Sequence, residues 1–221
     1  MKYNEKTALR VIVEAAQNYD KFLKNKNFLV VFQKGKEMKS VEIGFHDYHF
    51  LHLTGIRTNL KAKQFYSACL NRKISPRDIA LDAKGNAQRK LAVLPYLHEL
   101  LYQNCMIGDF IQSGIQIKAD YFVGNTRAVL SVGFRYGSGT KAVDIPVTLY
   151  KEDVRRQVRP VCKVVAIFVK GRQEEQYAEH TYWSKGQDYD TLHFQGEEKW
   201  SRKKLDVEND GITEDWEAPE T

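Results

Sequence analysis

From residue 121 onward the chain is a series of short apolar runs. "YFVGN" (121–125), "AVLSVGFRYG" (128–137), "DIPVTLY" (144–150), "KVVAIFVKG" (163–171) and "YAEHTYW" (177–183) are β-branched or aromatic stretches broken by Gly, Asn and charge. Runs of this length and spacing predict strands of an antiparallel sheet. Pro146 belongs at a strand start or edge, because it has no N–H to give to a ladder. The charged residues 151–162 read as a connection with at most one helical turn.

The first half has a different periodicity. Leu9, Ile12, Val13, Ala16 and Leu23 fall on one stripe with helical spacing, and Asn4 can cap it. "FLVVFQ" and "KSVEIGF" around Lys34-Gly35-Lys36 predict a hairpin. A helix carrying Phe65, Ala68 and Cys69 follows Asn59, and Ser75-Pro76-Arg77-Asp78 has the residues of a further helix start. Asn86 to Gly108 reads as a long helical stretch that Pro95 must kink or divide, with Leu91, Leu94, Leu97 and Leu101 facing a core. The expected class is α+β: N-terminal helices and a hairpin packed on a small antiparallel sheet formed mainly by the second half. Residues 1–185 form one domain in this reading, and 186–221 an acidic, disordered tail.

Charge narrows the function classes. Of 34 Lys/Arg and 28 Asp/Glu, the stretch from Gly186 holds 4 and 11, which leaves 30 and 17 in residues 1–185. A basic body with an acidic end points to nucleic acid or another polyanion as partner. The longest apolar run, Val164–Val169, is far shorter than the roughly 20 residues a spanning helix needs, so no membrane role is expected. The first residues lack the apolar run of a secretory signal. Cys69, Cys105 and Cys162 are odd in number and widely spaced, as expected of reduced core thiols in a cytoplasmic protein.

Three of the six histidines crowd into "HDYHFLHLTG" (46–55). Their spacing matches no zinc signature, and Asp47 is the only close carboxylate, so neither a metal nor another cofactor is expected. Acid/base chemistry fits better, since histidine exchanges protons near neutral pH. Cleaving RNA through its own 2′-hydroxyl needs one proton acceptor, one proton donor and cations on the phosphorane. His49, His52, Thr54 and Arg57 are groups of those kinds within nine residues. The bland alternative is that these histidines are strand-edge or core residues. A second basic segment runs from Lys151 to Arg172, including Arg155, Arg156, Arg159, Lys163 and Lys170, with Tyr150, Phe168 and Tyr182 nearby for base stacking. Thr148 is a possible phosphate donor, and His180 a reserve proton-transfer group.

"FLHLTGI" (50–56), the helix with Phe65-Tyr66, "ADYFVGN", "VGF", "IPVTLYKEDVR" and "VVAIFVKG", in that order over residues 4–183, resemble the phage- and conjugative-element-associated Barnase–EndoU–ColicinE5/D–RelE nuclease-like domains, most closely the family written PBECR4. The resemblance implies a compact α+β fold with helices on a small antiparallel sheet. It also implies a metal-independent ribonuclease of the toxin or mobile-element conflict type, whose partners would be RNA and an antitoxin or other acidic protein. His52 and Thr54 lie within the matching motif, and Thr148 and Lys170 within the matching strands; His49 and Arg57 are added on chemistry alone. No equivalent of a barnase-like glutamate base is seen, so a His-plus-Lys scheme is expected. The rival expectation is a binding module of the same fold that does not turn over.

Overall fold

The structure is a computed structural model that describes residues 2–111, 118–125, 127, 129–139, 142–188, 190, 192–194 and 196–200. Helix α1 (Glu5–Phe22) starts where the Asn4 side chain accepts from the Thr7 N–H at 2.9 Å and the Thr7 hydroxyl oxygen accepts from the Asn4 N–H at 3.0 Å. This reciprocal cap satisfies two of the donors a helix start leaves open. Ala8, Ile12, Ala16 and Tyr19 form its buried stripe.

Strands β1 (Lys26–Lys34) and β2 (Glu37–Gly44) are the expected hairpin, turning at Gly35 with φ +66°. They are followed by α2 (Phe50–Thr54), α3 (Ala62–Leu70) and α4 (Asn86–Leu91), then β3 (Met106–Asp109), β4 (Tyr121–Asn125), β5 (Leu130–Arg135), β6 (Ile145–Tyr150), β7 (Cys162–Gly171) and β8 (Glu179–Trp183). The sheet order is β2-β1-β7-β3-β4-β5-β6, with β8 also on β7, and every strand pair is antiparallel. The sheet curls until its two ends touch: the Gly44 N–H donates to the Asp144 carbonyl at 2.9 Å, and the Asp144 N–H to the Glu42 carbonyl at 2.7 Å.

The period-two alternation of β1 sorts its side chains between two cores. Phe28, Val30 and Phe32 face the main core with α1 and the other helices. Leu29 and Val31 face the opposite side, where Phe168, Tyr177, Leu192, Phe194 and Trp200 cover them. We call these the inner and outer faces. Cys69, Cys105 and Cys162 are all buried free thiols. No helix among the described residues is long and apolar enough to cross a membrane.

Two expectations need correction. The stretch 86–108 is not one divided helix. It is α4, a 3₁₀ helix (Leu94–Glu99) with Pro95 in its first turn, and then β3. Leu91, Leu94, Leu97 and Leu101 still face the core, because i,i+3 spacing serves a 3₁₀ turn as well as an α-helix. The packed chain also does not stop at 185. Leu192, Phe194 and Trp200 are buried, and the Tyr177 N–H donates to the Lys199 carbonyl at 2.9 Å, which fastens this segment to the outer face. The remainder of the expected tail, 201–221, lies outside the described residues. Trp200, 4.7 Å from Phe168 between ring centroids, fills this outer core. Trp200→Ala is therefore expected to cost about 3–5 kcal/mol of stability, read as a lower urea midpoint.

Candidate active site

The segment of three histidines folds as a 3₁₀ turn (Asp47–His49) running straight into α2. Thr54 ends that helix from inside: its hydroxyl donates to the Leu51 carbonyl at 2.7 Å and accepts from the Ile56 N–H at 3.1 Å, fully buried. Gly55 then takes φ +70°, and a Cβ there would lie 2.9 Å from Lys90 Cδ and 3.3 Å from Ala87 Cα. Only glycine combines that conformation with so close an approach of α4.

The chain beyond Gly55 is held by paired backbone bonds between Arg57 and Ala80, at 3.1 and 2.9 Å. Two residues further on, the Asp82 carboxylate accepts from the Asn86 and Ala87 N–H groups at 3.1 and 2.8 Å and so starts α4. Those bonds hold the Asp82 carboxyl below the usual carboxylate range, with the Arg57 charge adding to them. Ala87 and Leu91 fix the inner side of α4, which leaves Arg89 exposed on the outer side and Lys90 on the flank that packs against Gly55. The Arg89 guanidinium donates to Asn86 Oδ1 at 2.5 Å. The Lys90 ammonium donates to the His52 carbonyl at 2.7 Å. Burial of Lys90 pushes its pKa down to about 8, against the opposing pull of Asp82.

These groups line an open cavity of about 270 Å³ between α4, the residues after α2 and the edge of β6. Arg57, Arg89 and Lys90 bring three cations to it, and Asp82 the one carboxylate. Thr148, Leu149 and Tyr150 form the opposite wall. β6 is the last strand of the sheet, so this wall is a sheet edge. Thr148 stands opposite Gly133, where a Cβ would come within 2.9 Å of the Thr148 methyl. Such a cavity suits an anion that cations and a hydroxyl can grip together.

The structure brings some of the expected site residues together and separates others. Arg57 and Thr148 share the cavity. His52 is exposed on α2, and its imidazole makes no hydrogen bond or ion pair with a described residue; its carbonyl, not its ring, touches the cavity's lysine. Thr54 is buried in the helix stop, where its hydroxyl is already used. His49 is buried too: its Nδ1 accepts from the His46 N–H at 3.2 Å, and its Nε2 has no partner. Burial and the neighbouring His46 and His52 push its pKa down to about 4, so the ring is neutral at pH 7.

Lys170 and His180 lie elsewhere. Phe168 is an outer-face residue, Lys170 follows it by two, and His180 is its partner across the β7–β8 pair. Residues two apart on a strand, and partners across an antiparallel pair, share a face. Lys170 there donates to the Glu175 carbonyl at 3.1 Å, lies 4.0 Å from Glu42 and covers the Tyr177 ring at 4.7 Å. Of His52, Lys170 and Thr148, only Thr148 lines the cavity. The basic segment after β6 also neutralises part of itself: Arg155 pairs with Asp153 at 2.6 Å and Arg156 with Glu152 at 3.4 Å.

Sequence reasoning missed Lys90, Arg89, Asp82 and Asn86. The pair Arg89-Lys90 was the visible signal, but charges between inward-facing apolar positions of a helix read as a solvated face. No group of three His, Cys, Asp or Glu side chains among the described residues is placed to hold a metal ion.

The family model for phage-Barnase-EndoU-ColicinE5/D-RelE like nuclease 4 matches residues 11–186. No curated protein and no solved structure matches the chain. The matched span runs from within α1 to just past β8 and takes in every residue that lines the cavity. The chain belongs to the PBECR4 family of nuclease-like domains.

Proposed function

We propose that the protein is an RNA endonuclease that cuts by attack of a 2′-hydroxyl on its own phosphodiester, with the cavity between α4 and β6 as its active site. One observation carries this reading: three cations converge on one open cavity against a single carboxylate, and one of them is a half-buried lysine with a pKa of about 8. In the reaction the 2′-oxygen bonds to phosphorus and the bond to the 5′-oxygen breaks. One proton leaves the 2′-hydroxyl and one arrives on the departing oxygen. The products are a 2′,3′-cyclic phosphate and a 5′-hydroxyl.

In this reading Lys90 takes the 2′-hydroxyl proton. With a pKa of about 8, roughly a tenth of its molecules are neutral and able to do so at pH 7. Arg57 and Arg89 stabilise the charge on the phosphorane, where fixed cations count most. Thr148 donates a hydrogen bond that orients the phosphate. His52, exposed beside the group that anchors Lys90, returns a proton to the leaving oxygen. No step draws on a metal ion.

The test is cleavage of single-stranded RNA by the purified protein with EDTA present. Arg57→Ala is expected to lower the rate by about 10²-fold or more, and the products to carry 2′,3′-cyclic phosphate ends. Products with 5′-phosphates, or full activity in the Arg57 variant, would overturn the assignment. One observation favours a binding module instead: the Lys90 ammonium is already engaged by a backbone carbonyl. That reading expects RNA retention that weakens steeply with salt, and no product at any pH.

A further inference from the structure

The turn leading into α2 carries an exposed aromatic and cationic ridge that the cavity does not use. Tyr48 is 41% exposed. The His46 ring stacks on it, centroids 5.2 Å apart and 11° from parallel, and His49 packs against it at 4.3 Å and 70°. Because His49 is buried, Tyr48 is braced from behind while part of it meets solvent. Two cations flank the pair: Lys63 Nζ lies 5.9 Å from the Tyr48 ring centre, and an Arg172 guanidinium nitrogen 3.3 Å from His46 Nδ1. The acid beside them, Asp47, has an oxygen occupied by the Tyr48 N–H at 2.8 Å.

The ridge leads to the cavity. Tyr48, His52 and Gly55 are spaced by four and three residues, so they follow one side of the helical path. Tyr48 and His52 are exposed, and Gly55 lines the cavity. At 1.5 Å per residue the ridge starts about 10 Å from the cavity. That is about three nucleotides at the 3.4 Å spacing of a stacked strand.

We infer that this ridge binds an unpaired nucleotide of the strand whose phosphate enters the cavity. Its base extends the His46–Tyr48 stack, and its phosphates lie between Arg172 and Lys63. The inference rests on the cavity being the cleavage site and adds the substrate class, which is single-stranded. Bases inside a duplex present only their edges, since their faces are already stacked on neighbours. An aromatic platform flanked by cations therefore rewards unpaired bases and does little for paired ones.

The experiment uses the full chain carrying Lys90→Ala, which leaves every ridge residue in place. It is titrated with a short labelled single-stranded RNA, the same sequence as a duplex, and the single-stranded DNA counterpart. Adding Tyr48→Ala is expected to weaken single-strand binding about 5- to 150-fold and to leave duplex binding unchanged. Tyr48→Phe should keep the affinity, which guards against a folding defect. The DNA strand should respond to Tyr48→Ala as the RNA strand does, because stacking does not read the 2′-hydroxyl. Unchanged affinity in Tyr48→Ala, or an equal loss on the duplex, overturns the proposal. If Tyr48 has no effect while cleavage still needs Arg57, the ridge alone fails. If single-strand binding needs Tyr48 while cleavage ignores Arg57, the ridge stands and the cavity reading fails.

Discussion

Lys90→Ala is expected to lower RNA cleavage by about 10²–10⁴-fold, the usual contribution of a positioned proton-transfer group. Burial lowers the Lys90 pKa to about 8, so the neutral amine becomes more abundant as pH rises. A lysine acting as base therefore contributes a limb that rises with pH up to about 8, and the proton donor to the leaving oxygen sets a falling limb against it. Lys90→Arg separates this role from simple charge, because arginine keeps the cation and does not lose its proton. It should hold RNA as tightly as the parent, lose the rising limb and stay nearly inactive. If Lys90→Ala stays within tenfold of the parent, or Lys90→Arg restores the rate, Lys90 is not the base. The same burial sets a stability trend of known sign. Between pH 8 and the ordinary lysine range the unfolded chain holds the proton more tightly, so stability rises with pH there.

The second large effect concerns acid. His49 is buried and neutral, with its pKa lowered from 6.5 to about 4. Between those values the unfolded chain binds the proton and the folded one does not. The stabilising difference is therefore present above pH 6.5 and lost as pH falls toward 4. A shift of this size corresponds to about 3 kcal/mol over the interval. His49→Gln removes the titration. It should flatten the fall in urea midpoint between pH 7 and pH 4 relative to the parent, whatever it does to stability at neutral pH. Parallel pH profiles for the two proteins would contradict this account.

How far the sequence could be read depended on whether local pattern or long-range packing decides. The α1 stripe and its Asn4 cap are local, as are the alternation and glycine turn of the β1–β2 hairpin, and both are read directly. The continuous apolar run of β7 identifies a strand covered on both faces. It does not identify the cover, which comes from helices on one side and from Leu192, Phe194 and Trp200 on the other. That cover decides that Lys170 is an outer-face residue, remote from the cavity. Arg57 and Thr148 were legible by chemical type, but their meeting depends on where β6 ends the sheet. Lys90 was illegible because nothing local reports that α2 and α4 cross at Gly55. The apolar residues between 192 and 200 were hidden by the acidic composition around them.

The pairing of β1 with β7 has a consequence for the order of events during synthesis. Residues 26–34 must wait for residues 162–171 before their second edge is covered. The two walls of the cavity have the same dependence. Arg57, Arg89 and Lys90 emerge in the early half, whereas Thr148 and Tyr150 are tied through β5, β4 and β3 to β7. A ladder spanning so much of the chain forms late and slowly, because its loop-closure cost comes before its contacts. The two walls can lock in register only after β7 has left the ribosome. A nascent nuclease-like chain of this topology is thus kept from presenting a finished cavity until β7 has been made and paired.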